Sequence, residues 1–186
     1  MKAASLMFAL LLGTMAVAQS QPQQKPAEAP AANPADVKSI DSIVAALYEV
    51  ISGPANQKRD WNRFRSLFWP GARLMPLAKP PDKPGLLVRM LTVEDYISRT
   101  EPFFAKEGFF ESGLANRVDQ WAHIAQVFST YESRHAKGEK PFARGINSIQ
   151  VFNDGQRWWV LSILWENESE PNPLPEKMLK PAGGKH

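Results

Sequence analysis

Asn153-Asp-Gly-Gln156 is the feature that most narrows what this 186-residue chain can become, because it separates two runs rich in β-branched and aromatic residues. A tight reverse turn needs positive φ at its centre, and Asp-Gly supplies it at little steric cost, so the pattern predicts a hairpin of strands 142–152 and 157–165. Upstream, 121–132 contains neither Pro nor Gly and reads as one long strand, ended by the charged residues and Gly at 137–140. With Asp154 and Gly155 as the central pair of the turn, counting places Phe152 opposite Arg157, Gln150 opposite Trp159 and Ser148 opposite Leu161. Alternate side chains point to opposite faces. One face then carries Gln150, Phe152, Trp159, Leu161 and Ile163, and the other Asn147, Ile149, Val151, Trp158 and Val160. Neither is polar throughout, so both are expected to be covered, one by helices and the other by a partner or a second copy.

The ends of the chain read differently. Residues 1–18 combine a basic start at Lys2, an apolar run and a small-x-small site at Ala16-Val-Ala18, the pattern of a secretory signal peptide cut before Gln19. The run is shorter than the roughly 20 residues a membrane span needs, and no Cys follows it to accept a lipid. The expectation is a periplasmic or secreted protein with no membrane attachment after cleavage. Residues 19–36 are rich in Gln, Pro and Ala and read as a disordered linker, and 173–186 as a flexible tail. One domain, 37–172, remains. It has no Cys, so its stability must come from its core. Without Lys2 the formal charge changes from 22 − 19 = +3 to 21 − 19 = +2, and the basic residues are scattered. That excludes the basic stripe of a nucleic-acid binder.

Within the domain, Val37, Ile40, Ile43, Val44, Leu47, Tyr48 and Ile51 recur at steps of three and four, predicting a helix that stops at Gly53-Pro54. Asp60 caps a second helix, 61–68, closed by Pro70-Gly71. Short strands at 72–77 and 86–91 flank a Pro-rich turn. Thr92 opens a third helix with Val93, Tyr96 and Ile97 on one side, which Pro102 bends or ends. A strand at 109–118 precedes the strand run. The simplest layered arrangement of this order is α+β, a strongly curved antiparallel sheet wrapped around three N-terminal helices.

This order, with Leu67-Phe68-Trp-Pro-Gly-Ala-Arg-Leu74 after the second helix and Asp154-Gly155-Gln-Arg-Trp158 entering the last strand, resembles the nuclear transport factor 2-like superfamily, which includes SnoaL-like cyclases and ketosteroid isomerases. The resemblance covers about 37–166. It implies a cone-shaped barrel with a single cavity, commonly dimerising through its sheet. In the isomerases of that group the strand after Leu-Phe bears a proton-moving carboxylate. Here the count reaches Pro76, with no Asp or Glu between Arg73 and Pro81. Tyr48 is a counterpart for the tyrosine those enzymes carry on the first helix.

Polar residues inside apolar strands are costly unless paired or used. His123, Ser129 and Tyr131 share one parity on the 121–132 strand. They therefore form a column lining the cavity, with His123 as acid, base or donor and Tyr131 as donor, or a structural sheet column. Glu111 is a candidate partner for His123. Arg144 suits a carboxylate clamp, or an ion pair with Glu132 or Glu111. Asn147 and Gln150, the latter beside Trp159, read as ligand contacts, with Trp61 and Tyr48 as apolar wall. His, Cys and acidic spacings give no metal site, and no Gly-rich loop or serine elbow implies a cofactor or acyl chemistry.

Two functions follow as expectations. The first is an exported, dimeric domain that holds a small apolar or amphipathic molecule without transforming it. The second is a SnoaL- or isomerase-type enzyme that acts on a small apolar carbonyl compound through His123.

Overall fold

The computed structural model describes residues 28–82 and 84–180, so the signal peptide expected at 1–18 and the last six residues lie outside the described residues. Four helices, α1 (Pro34–Val37), α2 (Ile40–Ile51), α3 (Trp61–Ser66) and α4 (Val93–Lys106), accompany six strands. These are β1 (Phe68–Ala78), β2 (Leu87–Val88), β3 (Phe110–Trp121), β4 (Ile124–Arg134), β5 (Ala143–Asn153) and β6 (Trp158–Asn167). The strands form one curved, unclosed sheet in the order β2-β1-β6-β5-β4-β3. The fold is the expected α+β cone with one amendment: β1 runs parallel to β6, so the sheet is mixed.

The helices form near where the apolar spacing places them, with two corrections: Val37 belongs to the separate α1, and the second helix stops at Ser66, so that Phe68, Pro70 and Gly71 lie in β1 instead of closing the helix. Ser39 and Ser42 cap α2 reciprocally, each side chain accepting the other residue's backbone N–H. Its buried stripe of Ile43, Val44, Leu47 and Tyr48 faces the sheet. At its C-terminus Ser52 donates its hydroxyl to Tyr48 O and its backbone N–H to Glu49 O, and Arg59 takes the last carbonyl. The guanidinium of Arg59 donates to Ile51 O at 2.8 Å and Gly53 O at 2.7 Å, and its plane lies 5.0 Å over Phe104. Helix α4 runs unbroken through Pro102, which sequence reasoning had bending or ending it. Phe104 explains the persistence, because it is buried against Trp61 and Phe109 and this packing offsets the hydrogen bond that proline forgoes. The ordered structure also starts ahead of 37. Asn33 caps α1, and Asp36 makes a two-pronged ion pair with Arg63 at 2.8 and 2.9 Å.

The largest departure from expectation is in the strands. The segment read as one strand, 121–132, is two: β3 ends at Trp121, Ala122 and His123 make a two-residue turn, and β4 starts at Ile124. Ala122 has φ 48, a left-handed conformation that L residues adopt at a cost, and the turn carries no Gly or Asn to announce it.

The Asp154 hairpin is real, but its loop has four residues rather than two, since Asn153 pairs with Trp158 and Phe152 with Trp159. Asp154 widens the turn by accepting the backbone N–H groups of both Gln156 and Arg157 at 2.9 Å. A bulge then shifts the register between Gln150 and Val151, so Gln150 pairs with Ser162. The extra residue, Leu161, reverses the facing of everything after it. Ile163 points into the concave side with Val160 and Trp158, and Leu164 points out with Ser148.

The concave side holds the core, where Ile43, Leu67, Val127, Ile149 and Val160 are fully buried. In the single chain the convex side is open at one end, where Trp69, Phe128, Leu161 and the hairpin residues Trp121 and Ile124 are exposed. At its centre it is covered by the segment 169–180, which includes a 3-10 turn at Glu176–Met178. Thr130 points outward yet is fully buried, because its hydroxyl donates to Met178 O beneath this segment. Leu174 N–H donates to Glu168 at 2.9 Å, which ties the same stretch to the end of β6.

Candidate functional site

Between α2, α4 and the concave sheet lies a hollow of about 260 Å³. Its walls are mostly aromatic and aliphatic: Phe64, Phe104 and Phe109, with Tyr96 from α4 and Trp165 from β6 meeting nearly at right angles, their centroids 6.4 Å apart. One ionisable carboxyl, that of Glu111, enters this lining, and no Lys, Arg or His does so among the described residues.

Glu111 is held at the start of β3 opposite Ser133, whose hydroxyl donates to Glu111 Oε2 at 2.8 Å. Its backbone N–H is satisfied by Ser52 Oγ at 2.9 Å. Burial pushes the Glu111 carboxyl up to about 7, against the opposing pull of the Ser133 hydroxyl. Three tyrosines gather round it. Burial, and then the hydrogen bonds and the Glu111 charge, leave Tyr48 raised to about 12, and Tyr96 and Tyr131 are raised by burial and by the same carboxylate. All three phenols are therefore neutral donors at any working pH.

The remaining polar groups form two short chains. The Tyr48 hydroxyl shares a hydrogen with Ser129 Oγ at 2.6 Å and accepts from Asn147 Nδ2 at 3.2 Å, and Ser129 donates to Asn116 at 2.7 Å. The Tyr131 hydroxyl donates to Asn167 Oδ1. No buried side-chain polar atom lacks a partner among the described residues, so the floor is preorganised rather than strained.

The structure gathers some of the residues singled out by sequence and disperses others. Glu111, Tyr131, Tyr48 and Asn147 line the hollow, and Ser129 sits fully buried just behind it. Trp61 stands outside the lining as a support, stacked on Phe104 and donating to Glu101 at 3.1 Å. His123 lies in the exposed turn at the far end of the β3–β4 hairpin from Glu111, so the expected His123–Glu111 pair and the His123 end of the column do not form.

Gln150 and Trp159 share the convex face and not the hollow. Gln150 accepts from Ser162 at 2.7 Å, and Trp159 donates to Asp154 at 2.7 Å beneath the Arg157 guanidinium. Arg144 is paired with Glu168 at 2.7 Å, so neither Glu132 nor Glu111 is its partner.

Sequence reasoning missed Tyr96, Ser133, Trp165 and Asn167. Tyr96 had been assigned to a helix face as core. The other lining residues of β6 became visible only with the Leu161 bulge, since without it Trp165 would face outward.

No family model and no curated protein matches the chain. Among solved structures it is similar to a protein of unknown function with a cystatin-like fold from Nostoc punctiforme, at 10% identity and TM-score 0.53 over 70% of this chain and 90% of that one. It is also similar to a nuclear transport factor 2-like protein of unknown function from Silicibacter pomeroyi, at 13% identity and TM-score 0.47 over 70% and 94%. The class is therefore that of the fold alone: a cystatin-like α+β cone, a curved, unclosed sheet over helices. At this identity the likeness extends to architecture and not to activity.

Proposed function

We propose that this domain binds a small, largely apolar molecule in the hollow between α2, α4 and the sheet. One observation carries the reading: an aromatic-walled hollow whose lining holds a single carboxyl, that of Glu111, hydrogen-bonded to Ser133, and no basic side chain among the described residues. With a volume of about 260 Å³, it lies below the roughly 300–1,000 Å³ of sites for drug-sized ligands. The occupant is correspondingly small. Calorimetric titration of the purified domain with small aromatic alcohols tests this, and the absence of heat up to millimolar concentration overturns it.

A proton-transfer enzyme of isomerase type is the second reading, favoured by the same carboxyl standing among tyrosine hydroxyls. Glu111, and not His123, would then be the base, with Tyr131 as donor. Turnover of an enolisable carbonyl compound that disappears in Glu111→Gln distinguishes an enzyme from a binding domain.

The exposed aromatic end of the convex face, with Trp69 edge-on to Phe152 and Trp159, supports a homodimer through the sheet. Native mass spectrometry at micromolar concentration tests it, and a monomer overturns it. Export to the periplasm or the medium rests on the pattern of residues 1–18. N-terminal sequencing of the mature chain should begin at Gln19.

A further inference from the structure

We propose that the hollow is a site for an organic ammonium ion, a small primary or quaternary amine with an apolar body. The inference rests on the binding reading above and names the chemistry of its ligand.

A carboxylate enclosed by apolar walls is unfavourable unless a positive charge meets it. Among the described residues, no cation of the protein reaches into this lining. Glu111 Oε2 is occupied by the Ser133 hydroxyl, whereas Oε1 accepts from no described residue and is not sealed off. That oxygen is an open acceptor. An anionic ligand would meet it with like charge and find no basic side chain to compensate. A metal ion would find too few ligands, since the described residues hold no group of three His, Cys, Asp or Glu side chains.

The rings supply the rest of the argument. Tyr96 and Trp165 meet at 80° and form two walls of a corner, with Phe104 and Phe109 also in the lining. Aromatic faces attract ammonium groups, most strongly where water is excluded, and tryptophan does so best. A corner of aromatic faces beside one unpaired carboxylate therefore fits a cation with an apolar tail better than it fits a neutral molecule.

The charges around Glu111 leave this balance intact. Tyr48 on α2, Tyr96 on α4 and Tyr131 on β4 face it as neutral phenols. Glu111 also borders a neighbouring groove that holds Glu49, Arg134, Lys137 and Glu139; there Arg134 is paired with Glu132 at 2.6 Å and Lys137 lies 5.9 Å over the Phe110 ring.

The test compares two probes of nearly equal shape, 2-phenylethylamine and 2-phenylethanol, by calorimetric titration at pH 7.5, a condition of about neutral charge balance for glutamate and amine. The amine is expected to bind the wild-type chain at least about tenfold more tightly than the alcohol. Glu111→Gln is expected to abolish that preference, the amine and the alcohol then binding within about twofold of each other. Alcohol binding with no preference for the amine overturns the ammonium site and leaves the apolar hollow standing. Binding of neither probe overturns both. The wild-type comparison needs no variant, so a Glu111→Gln chain that failed to fold would still leave the outcome decided.

Discussion

The hydroxyl of Tyr131 lies 2.5 Å from the place a Cβ would take on Gly145, its partner across the β4–β5 ladder. The same absent Cβ would also collide with the backbone carbonyl oxygen of Glu166 on β6. Glycine at 145 is thus what lets the Tyr131 ring lie across β5 and reach Asn167. Gly145→Ala should destabilise the domain by about 1–3 kcal/mol, the usual range for overpacking a well-filled site. A urea unfolding midpoint unchanged from wild type would show that β6 yields without cost.

Glu111 should make stability fall as pH rises. An unfolded glutamate titrates near ~4.3, whereas burial holds the folded carboxyl at about 7. The folded state therefore binds the proton more tightly, and unfolding becomes easier as pH climbs from about 4 to about 7, with no further change from this group above that. The difference across the window is on the order of 4 kcal/mol. Glu111→Gln should remove this slope and exceed wild-type stability at pH 8. Parallel slopes for the two proteins between pH 5 and pH 8 would show that the carboxyl is solvated.

Arg63 joins α3 to the start of the domain through Asp36, whose side chain is only 9% exposed, and reaches Glu49 at 2.9 Å. Removing the guanidinium would leave the Asp36 carboxylate buried without a partner. Arg63→Ala should cost about 3 kcal/mol, whereas Glu49→Ala, which removes a mostly exposed partner, should cost less than about 1 kcal/mol. Equal losses in thermal unfolding would contradict this ranking.

Ala122, at φ 48, is under backbone strain of about 1–2 kcal/mol that glycine would not feel. Glycine loses roughly 0.5–1 kcal/mol through its more flexible unfolded chain. Ala122→Gly should therefore stabilise the domain by up to about 1 kcal/mol, measurable as a higher urea midpoint. A loss of stability would mean that the Trp121–Ile124 hairpin tolerates its alanine without strain.

That turn also marks where the sequence stopped being informative. Helices α2 and α4 were legible because their apolar residues recur at helical spacing and Thr92 carries a recognisable cap, whereas the Ser39 cap that separates α2 from Val37 was not read. The Asp154 hairpin was legible because Asp-Gly is a strong local signal. The Ala122-His123 turn emits no such signal, and strand-forming residues on both sides of it read as continuous.

Missing the turn misplaced His123, which is why an imidazole was expected in the hollow. The inward column itself survived, because Ala125, Val127, Ser129 and Tyr131 keep their period of two within β4. Arg144 and Gln150 were misjudged for another reason. Sequence gives parity, but which parity faces the helices is decided by packing between elements far apart in the chain.

The bulge at Leu161 has a consequence of its own. Beyond it, Trp165 and Asn167 are lining residues, and their neighbours Leu164 and Glu166 belong to the outside. Deleting the single residue Leu161 would reverse every later side chain of β6, turning Ile163, Trp165 and Asn167 outward and Leu164 and Glu166 inward, so that solvent meets a tryptophan and the interior a second acid. What this chamber accepts is therefore encoded as much in the length of one strand as in the chemistry of its walls.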